Sequence, residues 1–499
     1  MEEMNNLGFV LAAACRRFGP AVAIDAPGGK LTYEDLLDKA TEVWRSLADF
    51  KCQPNEPVHV LVSSHPADLA SFLGVWLAGG VVIPIHRTSP ASVIDSVWNK
   101  SKARLVVDIA QSSEADGASV TRLAEAAPAP REQLEGAALI IFTSGSTGVP
   151  KGVVLGHAAF SGKIRSIDAM IHFRRNERTL QLLNITFSFG IWSSLLTLMG
   201  GGTIVLPQKF VPADLLDQLS NGQIHRVGVV PTMLRAMLAA LAQDEAGSGR
   251  VTAASPTLRQ ILTGGEQLSE QLAAQVANLF PDTDLVNIFG LTETSTCDFF
   301  QFPPDRHANP HSLGLPSSHV QFRVADELNA ACPPGDVGEL QIRSPFLMTG
   351  YLDEPALTDA AFLDGWFKTG DLALLDAYGH VRLMGRSKEL ISRGGNKVTP
   401  MEVERALKQY DAVCDCMVVG APDEILGERI HALIVPNNGS AIEADPLRAF
   451  LLTKLDRFKM PDFIYIADAL PIGRTGKADR RELRNMISGG VLAPLAGRS

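Results

Sequence analysis

The chain has 499 residues, 46% of them hydrophobic and 20% charged, with a formal net charge of −10. It is too long for one ordinary domain and has the composition of a globular protein. The acidic balance excludes nucleic acid as the main partner, because neutralising a phosphate backbone needs a basic face; a small anionic ligand in a locally positive pocket is not excluded.

The N-terminal stretch MEEMNNLGFVLAAACRRFG has acidic residues where a signal peptide carries positive charge, so a helix is expected there. The six cysteines are scattered, with only Cys414 and Cys416 close together, and no Cys/His zinc spacing is present. Buried or half-buried thiols in a reducing compartment follow, and with them a cytoplasmic protein. LASFLGVWLAGGVVIPI, from Leu69 to Ile85, is interrupted by Gly79, Gly80 and Pro84. It is slightly short for a membrane span and reads as a core helix, a glycine turn and a buried strand.

Apolar runs then alternate with helical patterns: VHVLVSS, VVIPI, ARLVVDI, ALIIFTS, GTIVLP and RVGVVP against ADLASFLGVWLA and PTMLRAMLAALAQ. Such alternation predicts an α/β fold of largely parallel sheets covered by helices. Residues 114–135 and 243–255 read as surface loops. Beyond about residue 320 shorter strands and more turns predict a smaller β-rich subdomain. A polar break at Arg386–Lys388 precedes a separate pattern. A helix covers Pro400 to Lys408, with Pro400 at its start and Glu402 and Glu404 where the helix dipole favours acids. The strands AVCDCMVVG and RIHALIVP follow, then a helix from about Pro446 to Leu455.

One stretch carries chemistry on its face. IIFTSGSTGVPKG, from Ile140 to Gly152, is an apolar strand running into hydroxyls and glycines. Glycines let the backbone approach a ligand closely, and successive N–H groups on such a loop make an anion-binding concavity. Thr143, Ser144, Ser146 and Thr147 add hydroxyls, and Lys151 adds positive charge. The spacing of Gly145 and Gly148 and the placing of Lys151 after Pro150 exclude a Walker A loop.

TSGSTGVPKG at 143–152, NIFGLTET at 287–294, GWFKTGDL at 365–372, GRSKELISRGGNKVTPMEVE at 385–404 and PIGRTGKADR at 471–480 occur in order along the chain. Together they resemble the adenylate-forming superfamily of acyl-CoA synthetases, peptide-synthetase adenylation domains and luciferases. The resemblance runs from LTYEDLLDKA at 31–40 to the last of these motifs. It implies a large N-terminal adenylation domain over 1–385 with the β-rich subdomain, a hinge over 386–388, and a small mobile α+β domain over 389–499. It also implies two half-reactions. A carboxylate attacks the α-phosphorus of ATP, giving acyl-adenylate and pyrophosphate, and a thiol then displaces AMP.

By the same resemblance, the loop Thr143, Ser144, Gly145, Ser146, Thr147, Gly148 and Lys151 holds ATP phosphates. Glu293 is the magnesium ligand, and hard oxygen ligation completed by phosphates suits Mg²⁺. Thr292 stands beside the α-phosphate. Gly264, Gly265, Glu266, Asn287, Phe289 and Gly290 form the adenine slot, with Phe289 where the family usually has Tyr. Asp371 takes the ribose hydroxyls, and Arg386 reaches the nucleotide. Lys477 is the catalytic lysine bridging carboxylate and α-phosphate, with Gly473 where Thr is common. Lys388 is the hinge about which the small domain turns, and Arg393, Gly394 and Gly395 line the thiol tunnel.

The acyl pocket maps to Phe187, Ser188, Phe189, Trp192, Val230, Thr232, Thr263, Leu291 and Thr296. In the amino-acid-activating branch an aspartate holds the substrate ammonium at the position of Ser188. A buried ammonium without its counter-ion is costly, so the expected acid is a non-α-amino aliphatic or aromatic monocarboxylate. Core packing is the competing reading for Phe187, Phe189 and Trp192. SRGGNKVTPMEVE looks more like the CoA-ligase branch, which makes CoA the expected acceptor. The phosphopantetheine of a separate acyl carrier protein is the alternative. Nothing in the sequence separates a monomer from a homodimer.

Overall fold

The computed structural model describes residues 5–109, 119–143, 150–221, 223–243, 255–437, 440–472 and 478–497. The chain packs as two compact units, residues 1–321 with 342–367, and residues 322–341 with 368–499. This partition groups the β-rich segment with the C-terminal residues. The 386–388 hinge is a proposal about motion, which packing alone does not address.

The first unit is built on two sheets. One is nine-stranded, and its centre is parallel: Val22–Ala26, Thr203–Val205, Arg178–Gln181, Arg226–Val229, Gln260–Gly264 and Asp284–Phe289 lie side by side. The other is seven-stranded, with Pro57–Val62 parallel to both Val81–His86 and Leu105–Asp108. Most of these strands are buried along their length, as parallel strands covered on both faces must be. The α/β fold of largely parallel, helix-covered sheets is thus as the alternation predicts.

The helices follow the same logic. Leu7–Phe18 is capped by the Asn6 side chain and buries Leu7, Leu11, Cys15 and Phe18. Tyr33–Asp49 begins with a reciprocal Thr32/Asp35 capping box. Its buried Tyr33 hydroxyl donates to the carbonyls of Leu198 and Gly202. Leu69 to Ile85 is the core helix Asp68–Leu77, a turn and the buried strand Val81–His86. Among the described residues no helix is long and apolar enough to cross a membrane. The segment read as loop over 114–135 contains a short edge strand, Ser119–Arg122, antiparallel to Leu105–Asp108, and a 3-10 turn at Glu132–Leu134. Four residues with a single apolar side chain, Val120, gave too little alternation to show it.

In the second unit, Val381–Arg386 runs antiparallel to the Asp371–Leu375 end of the strand Trp366–Leu375. Its six-stranded sheet centres on the long hairpin Val413–Asp423/Gly427–Pro436, with Phe463–Ile466 parallel to the second arm. The helices Pro400–Leu407 and Ala444–Leu452 lie close to their expected ranges. Val403, Leu407, Leu447 and Leu451 join Val418, Ile430, Ala432 and Ile434 in a core of this unit's own.

Candidate active site

In the first unit the candidate residues gather where parallel strands end. Val229 is level with Thr263, Thr263 with Asn287 and Gly264 with Ile288. Val230, Gly264, Gly265 and Asn287 to Gly290 therefore emerge together at the carboxyl edge of the sheet, the edge at which open α/β sheets bind ligands. Gly264 is required there, since a Cβ would lie 2.5 Å from the Ile288 carbonyl oxygen. Gly265 turns the chain at φ +84°. Glu266 does not point freely outward. It accepts from Thr232 Oγ1 at 2.8 and 2.9 Å and from Arg235 Nη2 at 3.0 Å. Thr232, assigned to the acyl wall, is thus engaged with a residue assigned to the adenine slot. Thr263 Oγ1 is buried and has no partner among the described residues. The Phe289 ring is half-buried, 6.1 Å from Phe299.

The second element is the hairpin Ala137–Thr143/Lys151–Gly156, in which Thr143 faces Lys151. Ser144, Gly145, Ser146, Thr147 and Gly148 lie outside the described residues. Lys151 Nζ stands 5.2 Å above the Tyr351 ring, and the Tyr351 hydroxyl donates to Glu293 Oε1 at 3.0 Å. Burial, reinforced by the Glu293 carboxylate, pushes the Tyr351 hydroxyl well above its ordinary pKa, so it remains a donor. A cation, a phenol and a carboxylate thus converge at the Lys151 end of the hairpin. Tyr351 was missed in the sequence, where GYLDEP carries no signal beyond a turn.

Glu293 sits in a tight turn. Thr292–Thr294 forms a 3-10 turn, and Ser295, Thr296 and Cys297 follow at φ 57°, 72° and 50°. Gly290 is needed because a Cβ would meet the Cys297 nitrogen at 2.2 Å. Thr296 is buried in this knot, its hydroxyl 3.6 Å from Cys297 Sγ, and Leu291 is half-buried.

The acyl-wall candidates divide. Phe187 precedes the helix Ser188–Met199 and is 37% exposed, and Ser188 is half-buried at the helix start. Phe189 stacks on Trp192 with centroids 5.0 Å apart. It also lies over Gly228, where a Cβ would come within 3.2 Å of its ring. Trp192 is fully buried with its edge-to-face partner Phe173, a core position. Gln181 ties the segment that leads from the strand Arg178–Gln181 to this helix, donating to Leu183 O at 2.5 Å and accepting from Ser193 Oγ at 2.9 Å.

In the second unit Asp371 is 4% exposed. Its Oδ1 accepts from Arg386 Nε at 3.0 Å. Its Oδ2 has no partner among the described residues. A buried carboxylate oxygen without a donor fits a ligand that brings hydroxyl donors, as a ribose does. Lys388 lies in the 3-10 turn Ser387–Glu389. Gly394 and Gly395, at φ +56° and +81°, make the two-residue turn between Arg393 and Asn396. Arg393 itself is committed to a two-pronged pair with Asp462, at 3.0 and 2.6 Å, and to the Phe458 carbonyl. Lys477 lies outside the described residues. The helix that follows it begins with Arg480, which binds Glu389, Glu404 and the Val418 carbonyl.

Glycines gathered at the carboxyl edge of a parallel sheet, the edge at which open α/β sheets bind ligands, place this chain in the class of α/β ligand-binding folds. The model of the AMP-binding enzyme family matches residues 11–352, and that of the AMP-binding enzyme C-terminal domain matches residues 402–477. The chain belongs to the AMP-binding enzyme family. It is 29% identical to a feruloyl-CoA synthase of an Amycolatopsis species over 477 residues, covering 93% of this chain and 95% of the relative. It is 30% identical to the fatty acid–[acyl-carrier-protein] ligase ScoC of Streptomyces coeruleorubidus, covering 94% of each. Among solved structures, the amide bond synthetase McbA of Marinactinospora thermotolerans superposes with a TM-score of 0.82 at 24% identity, covering 96% of this chain and 99% of that one, and so shares the fold. The enzyme is an acid–thiol ligase of the AMP-forming type, which activates a carboxylic acid with ATP.

Proposed function

We propose that the acid is a non-α-amino aliphatic or aromatic monocarboxylate and that the acceptor is CoA. The observation that carries the acid is Ser188, a neutral hydroxyl at the start of the helix Ser188–Met199. Phe187 and Phe189 flank it in the chain, and neither these three side chains nor the remaining acyl-wall candidates bring a carboxylate to hold an ammonium. A feruloyl-CoA synthase and, at 31% identity over 70% of this chain and 67% of its own length, an indoleacetate–CoA ligase of Aromatoleum aromaticum support an aryl acid and CoA.

The residues divide the labour. Lys151 and the hydroxyl-rich loop neutralise and orient the phosphates, which is most of what phosphoryl transfer asks of a protein. Glu293, with one oxygen held by Tyr351, is a hard carboxylate ligand suited to Mg²⁺, which when bound neutralises charge on the leaving pyrophosphate. Asp371 holds the ribose. Lys477 sets the attacking carboxylate against the α-phosphorus, a role for a point charge on a flexible stem. In the second half-reaction the thiol sulfur, losing its proton, attacks the acyl carbon, and AMP leaves.

The test is carboxylate-dependent exchange of labelled pyrophosphate into ATP across fatty, branched, aryl, keto and amino acids, with Lys477→Ala alongside. Exchange with aryl or aliphatic acids, lost in the variant, is expected. Exchange confined to α-amino acids overturns the pocket reading. A second reading, loading of a carrier-protein phosphopantetheine, is favoured by the full-length similarity to ScoC. Thioester formation on a holo carrier protein but not on free CoA decides for it.

A further inference from the structure

Lys163 and Asp298 form an ion pair with both side chains fully excluded from solvent, Nζ to Oδ1 2.7 Å. Burying two charges is expensive, and such a pair holds only with good geometry and further hydrogen bonds. Asp298 has them. Its Oδ2 accepts from Thr294 Oγ1, its N–H donates to the Phe289 carbonyl at 2.7 Å, and its carbonyl accepts from Ser317 N at 2.8 Å. Lys163 Nζ also reaches Ser317 Oγ at 3.4 Å.

What this pair grips is the turn that carries Glu293. Thr294 is the next residue, and its hydroxyl is tied both to Asp298 and to the Leu291 carbonyl. Between Thr294 and Asp298 stand three consecutive left-handed residues, one of them the β-branched Thr296. Left-handed backbone is disfavoured for such residues and persists only where the surroundings over-determine it, a circumstance concentrated at functional sites. The outer side of the turn is fixed as well. Ser295 Oγ donates to Phe346 O at 2.6 Å, and Met348 N donates to Glu293 O at 2.8 Å. Lys163 lies on the helix His157–Ile171, which directly follows the Lys151–Gly156 strand. A single helix thus links the hairpin bearing Lys151 to the turn bearing Glu293.

We propose that Lys163 and Asp298 are positioning residues for the Glu293 carboxylate: their buried ion pair locks the strained Gly290–Asp298 turn and thereby sets the magnesium requirement for ATP binding. This rests on the reading of Glu293 as the magnesium ligand. Neither residue touches substrate, so the effect must pass through the geometry of the turn.

The test measures ATP binding calorimetrically at stepped magnesium chloride concentrations in the wild type, Lys163→Met and Thr294→Val. Thr294→Val cuts one link between Asp298 and the turn without leaving a charge unpaired, and it decides the matter if Lys163→Met fails to fold. The magnesium concentration for half-maximal ATP binding should rise at least fivefold in Lys163→Met and at least twofold in Thr294→Val, with affinity recovering at saturating magnesium. Wild-type magnesium midpoints in the folded variants, or losses that saturating magnesium does not restore, overturn the proposal. Pyrophosphate exchange by the wild type, run alongside, reports separately on the proposed activity, because the binding measurement needs no acid.

Discussion

Arg386 donates its Nε–H to Asp371 Oδ1 at 3.0 Å across an antiparallel strand pair, while the buried Oδ2 has no partner among the described residues. Burial raises the Asp371 carboxyl above its ordinary pKa, and the Arg386 charge only partly offsets this. A half-satisfied carboxylate costs stability and gains it back when a ligand brings donors.

Asp371→Asn should therefore separate stability from binding. The folded-state pKa lies above the unfolded one, so the native state binds the extra proton and the wild type loses stability as pH rises above about 4. The unliganded variant should match or exceed the wild-type Tm at pH 7.5, with the difference closing below pH 4. Its KM for ATP should rise about 10- to 100-fold, the weight of one hydrogen bond to a charged group. A lowered Tm with unchanged KM would show a purely structural aspartate.

Tyr351→Phe isolates the bond to Glu293. The ring that Lys151 overlies is kept, and only the donor at 3.0 Å is removed. Pyrophosphate exchange should fall about 10-fold or more, as expected for one hydrogen bond to a charged group. Tyr351→Ala, which also removes the ring, should fall further. Equal rates in wild type and Tyr351→Phe would detach Tyr351 from the site.

The legible parts of the fold were those with strong apolar patterning. Pro57–Val62 and Val81–His86 are near-continuous apolar runs, and apolar runs bounded by turns read as buried strands. The edge strand Ser119–Arg122 is short and polar and left no such trace. Candidate site residues stood out in the sequence where glycine or an acid lay in a motif. Gly264 and Gly290 are there because backbone occupies the space of their missing Cβ. Tyr351, Lys163 and Asp298 were not legible, because each acts through a partner 58 or 135 residues away that sequence spacing does not announce. Arg393 illustrates the converse. Its motif points to a thiol tunnel, and the ion pair its guanidinium makes with Asp462, 69 residues away, is a second engagement that the motif does not announce.

Ser188→Asp tests the acid class. Ser188 opens the helix Ser188–Met199, where a carboxylate is favoured by the helix dipole, so the variant should fold with its Tm preserved within a few degrees. Exchange supported by the wild type's best acid should fall at least about tenfold, since a half-buried like charge beside a bound carboxylate costs of order 1.4 kcal/mol or more. An undiminished rate would place Ser188 away from the acyl group.

His59 gives a pH dependence that is independent of the active site. It lies in the fully buried middle of Pro57–Val62, its Nε2 3.0 Å from Ser101 Oγ, and burial pushes its pKa down to about 3. The unfolded chain takes up the proton near pH 6.5, and the folded chain does not until about pH 3. The native state is therefore favoured at neutral pH, and that advantage is lost as pH falls through this window, by up to about 1.4 kcal/mol per unit from this one site. His157, pushed down to about 4 by burial, acts in the same direction. Urea unfolding from pH 7 to 5 should show stability declining in the wild type. The decline should be shallower in His59→Leu, and the difference between the two slopes isolates His59 from every other titrating group. Parallel slopes would mean that His59 takes up its proton in the folded chain as readily as in the unfolded one, and the Ser101 hydroxyl would then be placed to accept from the imidazolium.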